Sequence, residues 1–328
     1  MTGENEVSYE DFISEWHNTS ESIKCTTSGS TGKPKAIWLP KEEMRRSAWR
    51  TIRFFGLDSG SHIHSCISPD FIGGKMMAVR SAEAGCRLTW ETPSNRPLSE
   101  HDGSIIDLLA VVPSQMLHIL DNMAGMPPIR SIIIGGSPIA GPLRTRIAES
   151  GLNAWETYGM TETASHIALR KVTEHEEPFK ILDGIKIRTD SDGRLIIEIE
   201  GWQELATNDI ARIYGNGKFS IIGRSDNVII SGGKKIHPEQ VEETLEREFG
   251  TSVMISSRPD DKWGERVIMI IEDNTSLMDD INIISICKRT LPKECVPKEI
   301  IHGTIPRTAN GKKEESRLNI IQGGEKRV

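Results

Sequence analysis

Residues 131–139, SIIIGGSPI, decide the reading of the chain. The run of isoleucines suits a short strand buried on both faces, and Gly135-Gly136 ends it in a turn. Residues 142–150 then read as a helix. Strand, glycine turn and helix in that order predict an α/β fold of layered sheets and helices. Working outward, residues 41–55 place Met44, Ala48, Ile52 and Phe55 at helical spacing. From Ile185 the texture changes. IKIRTDSDGRLIIEIEG and KFSIIGR are short alternating strands, with Asp192-Gly193 as a hairpin turn. SDNVIISGGKKIHPEQVEETLEREFG reads as a strand, a glycine turn and a helix, with Pro238 in the first helical turn, where its missing N–H is harmless. VIMIIED and IISICKRTL repeat a smaller strand and helix. A boundary near Arg224–Asp226 divides the chain into a large domain, residues 1–224, and a small α+β domain, residues 225–328, of ordinary domain size.

The 328 residues suffice for buried cores, and 37% hydrophobic with 27% charged residues suits a water-soluble globular chain. A formal net charge of -7 argues against a duplex nucleic-acid partner, while leaving room for a local basic pocket. Five cysteines (Cys25, Cys66, Cys86, Cys287, Cys295) form no CxxC pair, so neither a disulfide framework nor a zinc motif is expected. His62 and His64 share one face of a possible strand and read as structural, because the sequence offers no evident third ligand. The N-terminus lacks the basic and apolar regions of a signal peptide, and no run is long enough to span a membrane; the cytoplasm is the expected location. Nothing in the sequence sets an oligomeric state.

Residues 26–35, TTSGSTGKPK, carry the strongest chemical signal. Thr27, Ser28, Ser30 and Thr31 interleave with Gly29 and Gly32, and Lys33 and Lys35 follow. Glycines admit an oxyanion close to the backbone, hydroxyls donate hydrogen bonds, and lysines add charge. The spacing is not that of a Walker A loop, which needs four residues between its glycines and a Lys-Ser/Thr pair. By itself the stretch fits either a polyphosphate grip or a polar surface turn.

Four further segments stand downstream: GGSPI (135–139), YGMTET (158–163), GRSDNVIISGGKKIHPEQVEE (223–243) and PRTANGKKEESRL (306–318). With TTSGSTGKPK they resemble, in order, the core motifs of the adenylate-forming (AMP-binding) superfamily, which includes acyl-CoA synthetases and peptide-synthetase adenylation domains. The resemblance runs from about residue 24 to 318. It implies a large adenylating domain followed by a small mobile lid, with ATP, Mg²⁺ and CoA used to join a small-molecule carboxylic acid to a thiol. It implies roles residue by residue. Thr27, Ser28, Gly29, Ser30, Thr31, Gly32 and Lys35 would grip the phosphates. Gly135, Gly136 and Ser137 would lie beside adenine, and Tyr158 and Gly159 would stack on it and shape the acyl pocket. Thr161 would bind the α-phosphate and Glu162 would hold Mg²⁺. Asp209 and Arg224 would bind ribose, although Asn208 stands where most members have glycine. Asp226 would be the hinge, Gly232 and Gly233 would approach the thiol tunnel, and Lys312 would be the catalytic lysine of adenylation.

The loop begins at Thr26, where ordinary members carry a long preceding subdomain, so the large domain is expected to be shortened. Such shortened chains resemble bacterial o-succinylbenzoate–CoA ligases of menaquinone biosynthesis, as do PDFIGGKMMAVRSAEAG (69–85) and GMTETASHIALR (159–170). Asp70-Phe71 replaces the aromatic-His pair of many relatives. A second, unactivated carboxylate on the acid requires a cation or several donors, for which Lys75, Ser165 and His166 are candidates; Lys75 also reads as a surface lysine at a helix end. Another aryl- or fatty-acyl-CoA ligase, a carrier-protein-loading ligase, and a non-catalytic nucleotide-binding relative stand as alternatives.

Overall fold

The computed structural model describes residues 7–27, 35–272, 279–307 and 313. The described chain starts with helix α1 (Tyr9–His17), capped by the Ser8 hydroxyl on the Asp11 amide, which buries Tyr9, Phe12 and Trp16 along one face. An antiparallel hairpin, β1 (Ser22–Thr27) and β2 (Lys35–Pro40), follows and leads into helix α2 (Lys41–Phe55). Met44, Ala48 and Ile52 are buried as their spacing predicts, and Gly56, at φ 65°, ends the helix in the left-handed conformation.

The central sheet has 11 strands. Its parallel half comprises β3 (His62–Ser65), β4 (Arg87–Trp90), β5 (Leu108–Val111), β6 (Ile132–Ile134) and β7 (Ala154–Met160), in the spatial order β4-β3-β5-β6-β7. Helices α3 (Ile72–Ala84), α4 (Pro113–Asp121) and α5 (Gly141–Glu149) make the crossovers. Successive residues of a strand face opposite sides. Accordingly Leu108, Ala110 and Ile133 pack with α1, α2 and α3, while Leu109, Val111, Ile132 and Ile134 pack with Met116, Ile119 and Ile147 of α4 and α5. Two covered faces explain why β5 and β6 carry no polar residue.

The sheet turns antiparallel at β8 (Ser165–Lys171) and continues through β9 (Phe179–Ile181), β10 (Ile185–Thr189), β11 (Arg194–Ile199), β12 (Gln203–Gly215) and β13 (Lys218–Arg224), in the spatial order β7-β8-β9-β13-β12-β11-β10. The expected α/β fold is therefore present, with an antiparallel extension.

After Arg224 the strands belong to a second sheet: β14 (Ile229–Ser231), β15 (Lys234–Ile236), β16 (Val253–Asp260), β17 (Gly264–Ile271) and β18 (Glu299–His302), with helices α6 (Pro238–Phe249) and α7 (Asp280–Thr290). The sequence predicts a single strand before α6, and the structure has two. Gly232 and Gly233 take φ 57° and 76°, the two-residue turn whose twist suits a tight hairpin, so the chain folds back and pairs Lys234 with Ser231. Lys313 is tied to this unit by contacts from its ammonium to Glu242 (3.0 Å), Glu246 (2.7 Å) and the Val253 carbonyl (2.6 Å). It is thus a half-buried ion-pair member rather than part of a solvated basic patch.

Helix α6 packs against α5 and β13. A Cβ on Gly223 would lie 2.4 Å from Glu239 Oε2, so glycine permits that approach. One turn further along α6, Glu243 lies beside Glu176, which Arg170 of β8 pairs. Burial first, then the neighbouring Glu176, pushes the Glu243 carboxyl up to about 7, against the opposing charges of Arg247 and Arg144. A raised folded-state value means that this contact stabilises the fold fully below the ordinary carboxyl value and loses that contribution as pH rises through about 7. Urea unfolding should therefore show lower stability at about pH 8 than at about pH 6, with the difference reduced in Glu243→Gln. An undiminished pH difference in that variant contradicts the assignment.

Candidate active site

The site grows from the connection between β7 and β8. Its start is a bulge between Tyr158 and Gly159. A Cβ on Gly159 would sit 2.3 Å from the Ser165 carbonyl oxygen, so only glycine lets the two strands close on each other. Thr161–Thr163 then form one 3₁₀ turn, followed by Ala164 (φ 51°) and Ser165 (φ 91°) in the left-handed region. Such conformations cost on the order of 1–3 kcal/mol each, and a surrounding network must hold them. The Thr163 hydroxyl accepts from the Met160 amide (3.0 Å) and bonds the Ser165 carbonyl (2.7 Å). The Ser47 hydroxyl of α2 donates to the Ala164 carbonyl (2.6 Å), and the Gln203 amide donates to the Glu162 carbonyl (2.6 Å). The backbone is thus tied on several sides. The half-buried side chains of Thr161 and Glu162 make no hydrogen bond or ion pair among the described residues. A hydroxyl and a carboxylate held this way suit a phosphate oxygen and a hard cation.

Strand β1 packs against this turn. Thr27 and Lys35 are the last pair of the hairpin, and the Lys35 amide donates to the Thr27 hydroxyl at 3.3 Å. Ser28, Gly29, Ser30, Thr31 and Gly32 lie outside the described residues, as does Lys312. Lys313, next to Lys312, is anchored on α6.

Tyr158 starts a polar chain. Its hydroxyl donates to Asp209 Oδ2 at 2.5 Å. Asp209 of β12 faces Arg224 of β13 in the strand register, with an ion-pair distance of 3.6 Å. Arg224 forks onto Asp226 at 2.9 and 2.7 Å. Burial, then the Asp209 charge, raises the Tyr158 phenol well above its ordinary range, so it stays a donor. Burial alone would raise the Asp226 carboxyl, but the Arg224 hydrogen bonds and charge hold it below the ordinary range. Asn208 does not displace Asp209: its carbonyl accepts from the Ser225 amide (2.7 Å) and its own amide reaches Asp226. Gly135, Gly136 and Ser137 follow β6, next to β7. A Cβ on Gly135 would lie 2.6 Å from Thr157 Oγ1, and Gly136 has φ 90°. Gly232 and Gly233, by contrast, form the β14–β15 turn against Trp263, and no hydrogen bond among the described residues joins them to this chain.

Ser165 and His166 meet a residue that the sequence reading does not single out. Arg80 of α3 is 1% exposed. Its guanidinium lies 3.2 Å from Ser165 Oγ and 3.5 Å from His166 Nδ1, its Nε has no partner, and no carboxylate pairs with it among the described residues. His166 Nε2 is 2.9 Å from the Thr51 hydroxyl. Burial, then Arg80 and Arg50, pushes the imidazole well below its ordinary value, so it is neutral. Lys75 is not a surface lysine: it is buried, with its ammonium 4.8 Å from the Phe12 ring centre. Five residues along a helix turn the side chain by about 140°, which is why Lys75 faces α1 while Arg80 faces β8. The signal for Arg80 was a basic residue closing the apolar run MMAV of α3, which Lys75 opens.

No helix among the described residues is long and apolar enough to cross a membrane. The AMP-binding enzyme family matches residues 12–190. A 2-succinylbenzoate–CoA ligase from Listeria monocytogenes serotype 4b is 27% identical over 89% of this chain and 68% of its own length. Among solved structures, an acyl-CoA synthetase (AMP-forming)/AMP-acid ligase II-like protein from Dyadobacter fermentans is 30% identical, with a TM-score of 0.63 over 95% of this chain and 92% of its own. The fold is shared with o-succinylbenzoate coenzyme A synthetase from Bacillus subtilis in complex with ATP and magnesium: TM-score 0.78, 22% identity, 90% of this chain and 69% of that one. A rigid Thr161–Glu162 turn, an Asp209–Arg224 pair across two strands and a family match over more than half of the sequence agree, and the chain belongs to the AMP-binding enzyme family.

Proposed function

We propose that this chain is an AMP-forming acid–CoA ligase whose acid is o-succinylbenzoate, acting in menaquinone biosynthesis. The observation that carries the choice of acid is Arg80. A guanidinium buried without a carboxylate leaves several kcal/mol of desolvation uncompensated, roughly, and a substrate anion would offset it. Arg80 stands behind Ser165, at the end of the turn that presents Thr161 and Glu162. An acid with two carboxylates could set one against Arg80 and Ser165 and offer the other for activation. The names of the Listeria and Bacillus relatives support the same acid.

A carboxylate is a poor electrophile because it lacks a good leaving group. Attack of its oxygen on the α-phosphate of ATP expels pyrophosphate and gives an acyl-AMP. The CoA thiol then attacks the acyl carbon and releases AMP. The obstacle to the first step is repulsion between anions. In this reading Thr161 donates to the α-phosphate, residues 27–35 hold the outer phosphates, and Lys312 neutralises charge that grows during transfer. Asp209 takes the ribose hydroxyls with Arg224 alongside, and Tyr158, Gly135, Gly136 and Ser137 flank the base. Glu162 suits Mg²⁺ because its carboxylate is unpaired among the described residues, and the ion would offset phosphate charge.

The division at residues 224 and 225 makes the second unit a lid, with Asp226 as its hinge. Arg224 grips Asp226 through two hydrogen bonds, so a swing of the lid would exchange this pair for other partners. Gly232 and Gly233 would then come to the thiol.

Lys312→Ala should lower acyl-AMP formation by roughly 10²- to 10³-fold and spare thiolysis of supplied acyl-AMP, as measured by pyrophosphate release and thioester formation. Equal loss of both steps contradicts its role. Arg80→Met should raise KM for o-succinylbenzoate by roughly 10²-fold, leave KM for ATP unchanged, and keep or raise Tm because a buried charge is removed. Pyrophosphate release with CoA and a panel of acids tests the substrate directly: a monocarboxylic benzoate or fatty acid turning over faster than o-succinylbenzoate overturns this choice of acid.

A further inference from the structure

A second cluster of chemical groups sits at the other end of the parallel half and shares no residue with the site above. His62, His64 and Cys66 alternate along β3 and beyond its end, so their side chains lie on one face. Glu91 follows β4, the parallel neighbour of β3. One ligand atom from each of His64, Cys66 and Glu91 lies within 4.8 Å of the others. His64 Nε2 is 3.8 Å from Glu91 Oε2. Cys66 continues the alternation of the two histidines along the chain, and only Glu91 arrives through the pairing of β3 with β4.

The hydrogen bonds around the two imidazoles decide where their protons are. His62 Nδ1 faces the Ile105 carbonyl at 2.9 Å, and a carbonyl only accepts, so this nitrogen carries the proton. With the ring neutral, His62 Nε2 accepts from the Thr89 hydroxyl at 2.7 Å. The Thr89 oxygen then has only lone pairs left for His64 Nδ1, also at 2.7 Å, which must donate. A neutral His64 is left with a lone pair on Nε2. That atom is buried and has no hydrogen-bond partner, in a residue only 8% exposed. It faces a carboxylate oxygen, and two lone pairs turned toward each other call for a cation between them, either a proton or a metal ion. Glu91 is held in place because both its oxygens accept from the Leu98 amide, at 3.1 and 2.9 Å.

We propose that His64 Nε2, Cys66 Sγ and a Glu91 carboxylate oxygen form a binding site for a zinc-like divalent transition-metal ion. A nitrogen, sulfur and oxygen donor set suits such an ion, whereas magnesium takes oxygen ligands. Binding displaces the thiol proton: the Cys66 S–H bond breaks, a sulfur–metal bond forms, and the proton leaves to solvent. Tetrahedral bond lengths require the donors to stand roughly 3.3–3.8 Å apart, so side-chain shifts of about an ångström close the site. Water completes the coordination. Thr89 and His62 act as positioning residues, since their relay holds the His64 tautomer that ligates. The ion would join the carboxyl ends of β3 and β4, beside the β3–β5 boundary at which the strand order reverses and near the point where the chain leaves for α3, the helix that carries Arg80.

Cobalt titration of the chelator-treated full chain, without ATP or magnesium, tests this. The expected result is one equivalent of Co²⁺ bound, with a thiolate-to-cobalt charge-transfer band in the near ultraviolet and the strong visible bands of a tetrahedral site. Cys66→Ser should abolish the charge-transfer band, and Cys295→Ser should leave it. Glu91→Gln, which keeps an acceptor for Leu98, and Thr89→Val, which breaks the relay without touching a ligand, should each weaken binding by about 10- to 100-fold. Absence of the band in the wild-type chain, or its persistence in folded Cys66→Ser, overturns the site. Unchanged affinity in folded Thr89→Val overturns the relay.

Discussion

The closure of β8 onto β7 across Gly159 is the constraint on which the rest of the site depends. At this point the sheet changes from parallel to antiparallel, and no side chain fits between Gly159 and the Ser165 carbonyl. The close approach forces a turn of only a few residues, and the short turn forces Ala164 and Ser165 into left-handed conformations. That strain is held by Ser47, Thr163 and Gln203, which come from three different parts of the chain. Their hydrogen bonds go to backbone groups, which leaves the side chains of Thr161 and Glu162 available to a ligand. A rigid backbone with uncommitted polar side chains is the arrangement expected of preorganised electrostatic catalysis.

Buried charge separates scaffold from site. Glu156 is enclosed between Arg144 and Arg170 at 2.5 and 2.8 Å, and Arg170 also packs on the Phe179 ring. Lys313 is matched by Glu242 and Glu246. Each of these charges has an opposite charge in contact, although Arg144 Nη1 makes no hydrogen bond, and removing any one of them would strand its partner. Arg80 and His64 differ. Among the described residues Arg80 has no carboxylate in contact, and His64 Nε2 makes no hydrogen bond although Glu91 stands 3.8 Å away. Native interiors seldom tolerate that without a reason, and a substrate anion for one and a metal cation for the other are the complementary reasons that their charges and lone pairs allow.

Much of the architecture was legible because it rests on local pattern. The apolar run of β6, the helical spacing in α2 and the Asp192-Gly193 turn are short-range signals, and each appears where the pattern put it. The order of the motifs identified the family. The extra strand β15 was not legible: KKI is too short and too polar to register as a strand, and only pairing with β14 makes it one. Lys75 was read by its position near a helix end, whereas α1 covers it in the folded chain. Arg80 lay unnoticed at the end of an apolar run because a basic residue there says nothing about whether an acid will meet it.

By itself the sequence determined most element types, the α/β class and the adenylate-forming motifs, and it put forward Tyr158, Thr161, Glu162, Asp209 and Arg224 as candidates, because periodicity and motif spacing are properties of neighbours along the chain. Only the tertiary structure decided that Asp209 stands between Tyr158 and Arg224, that Arg80 lies behind Ser165 with no carboxylate on it among the described residues, and that Glu91 joins His64 and Cys66. These are meetings between residues far apart in sequence. They depend on strand order and register, which are set by how the whole chain packs.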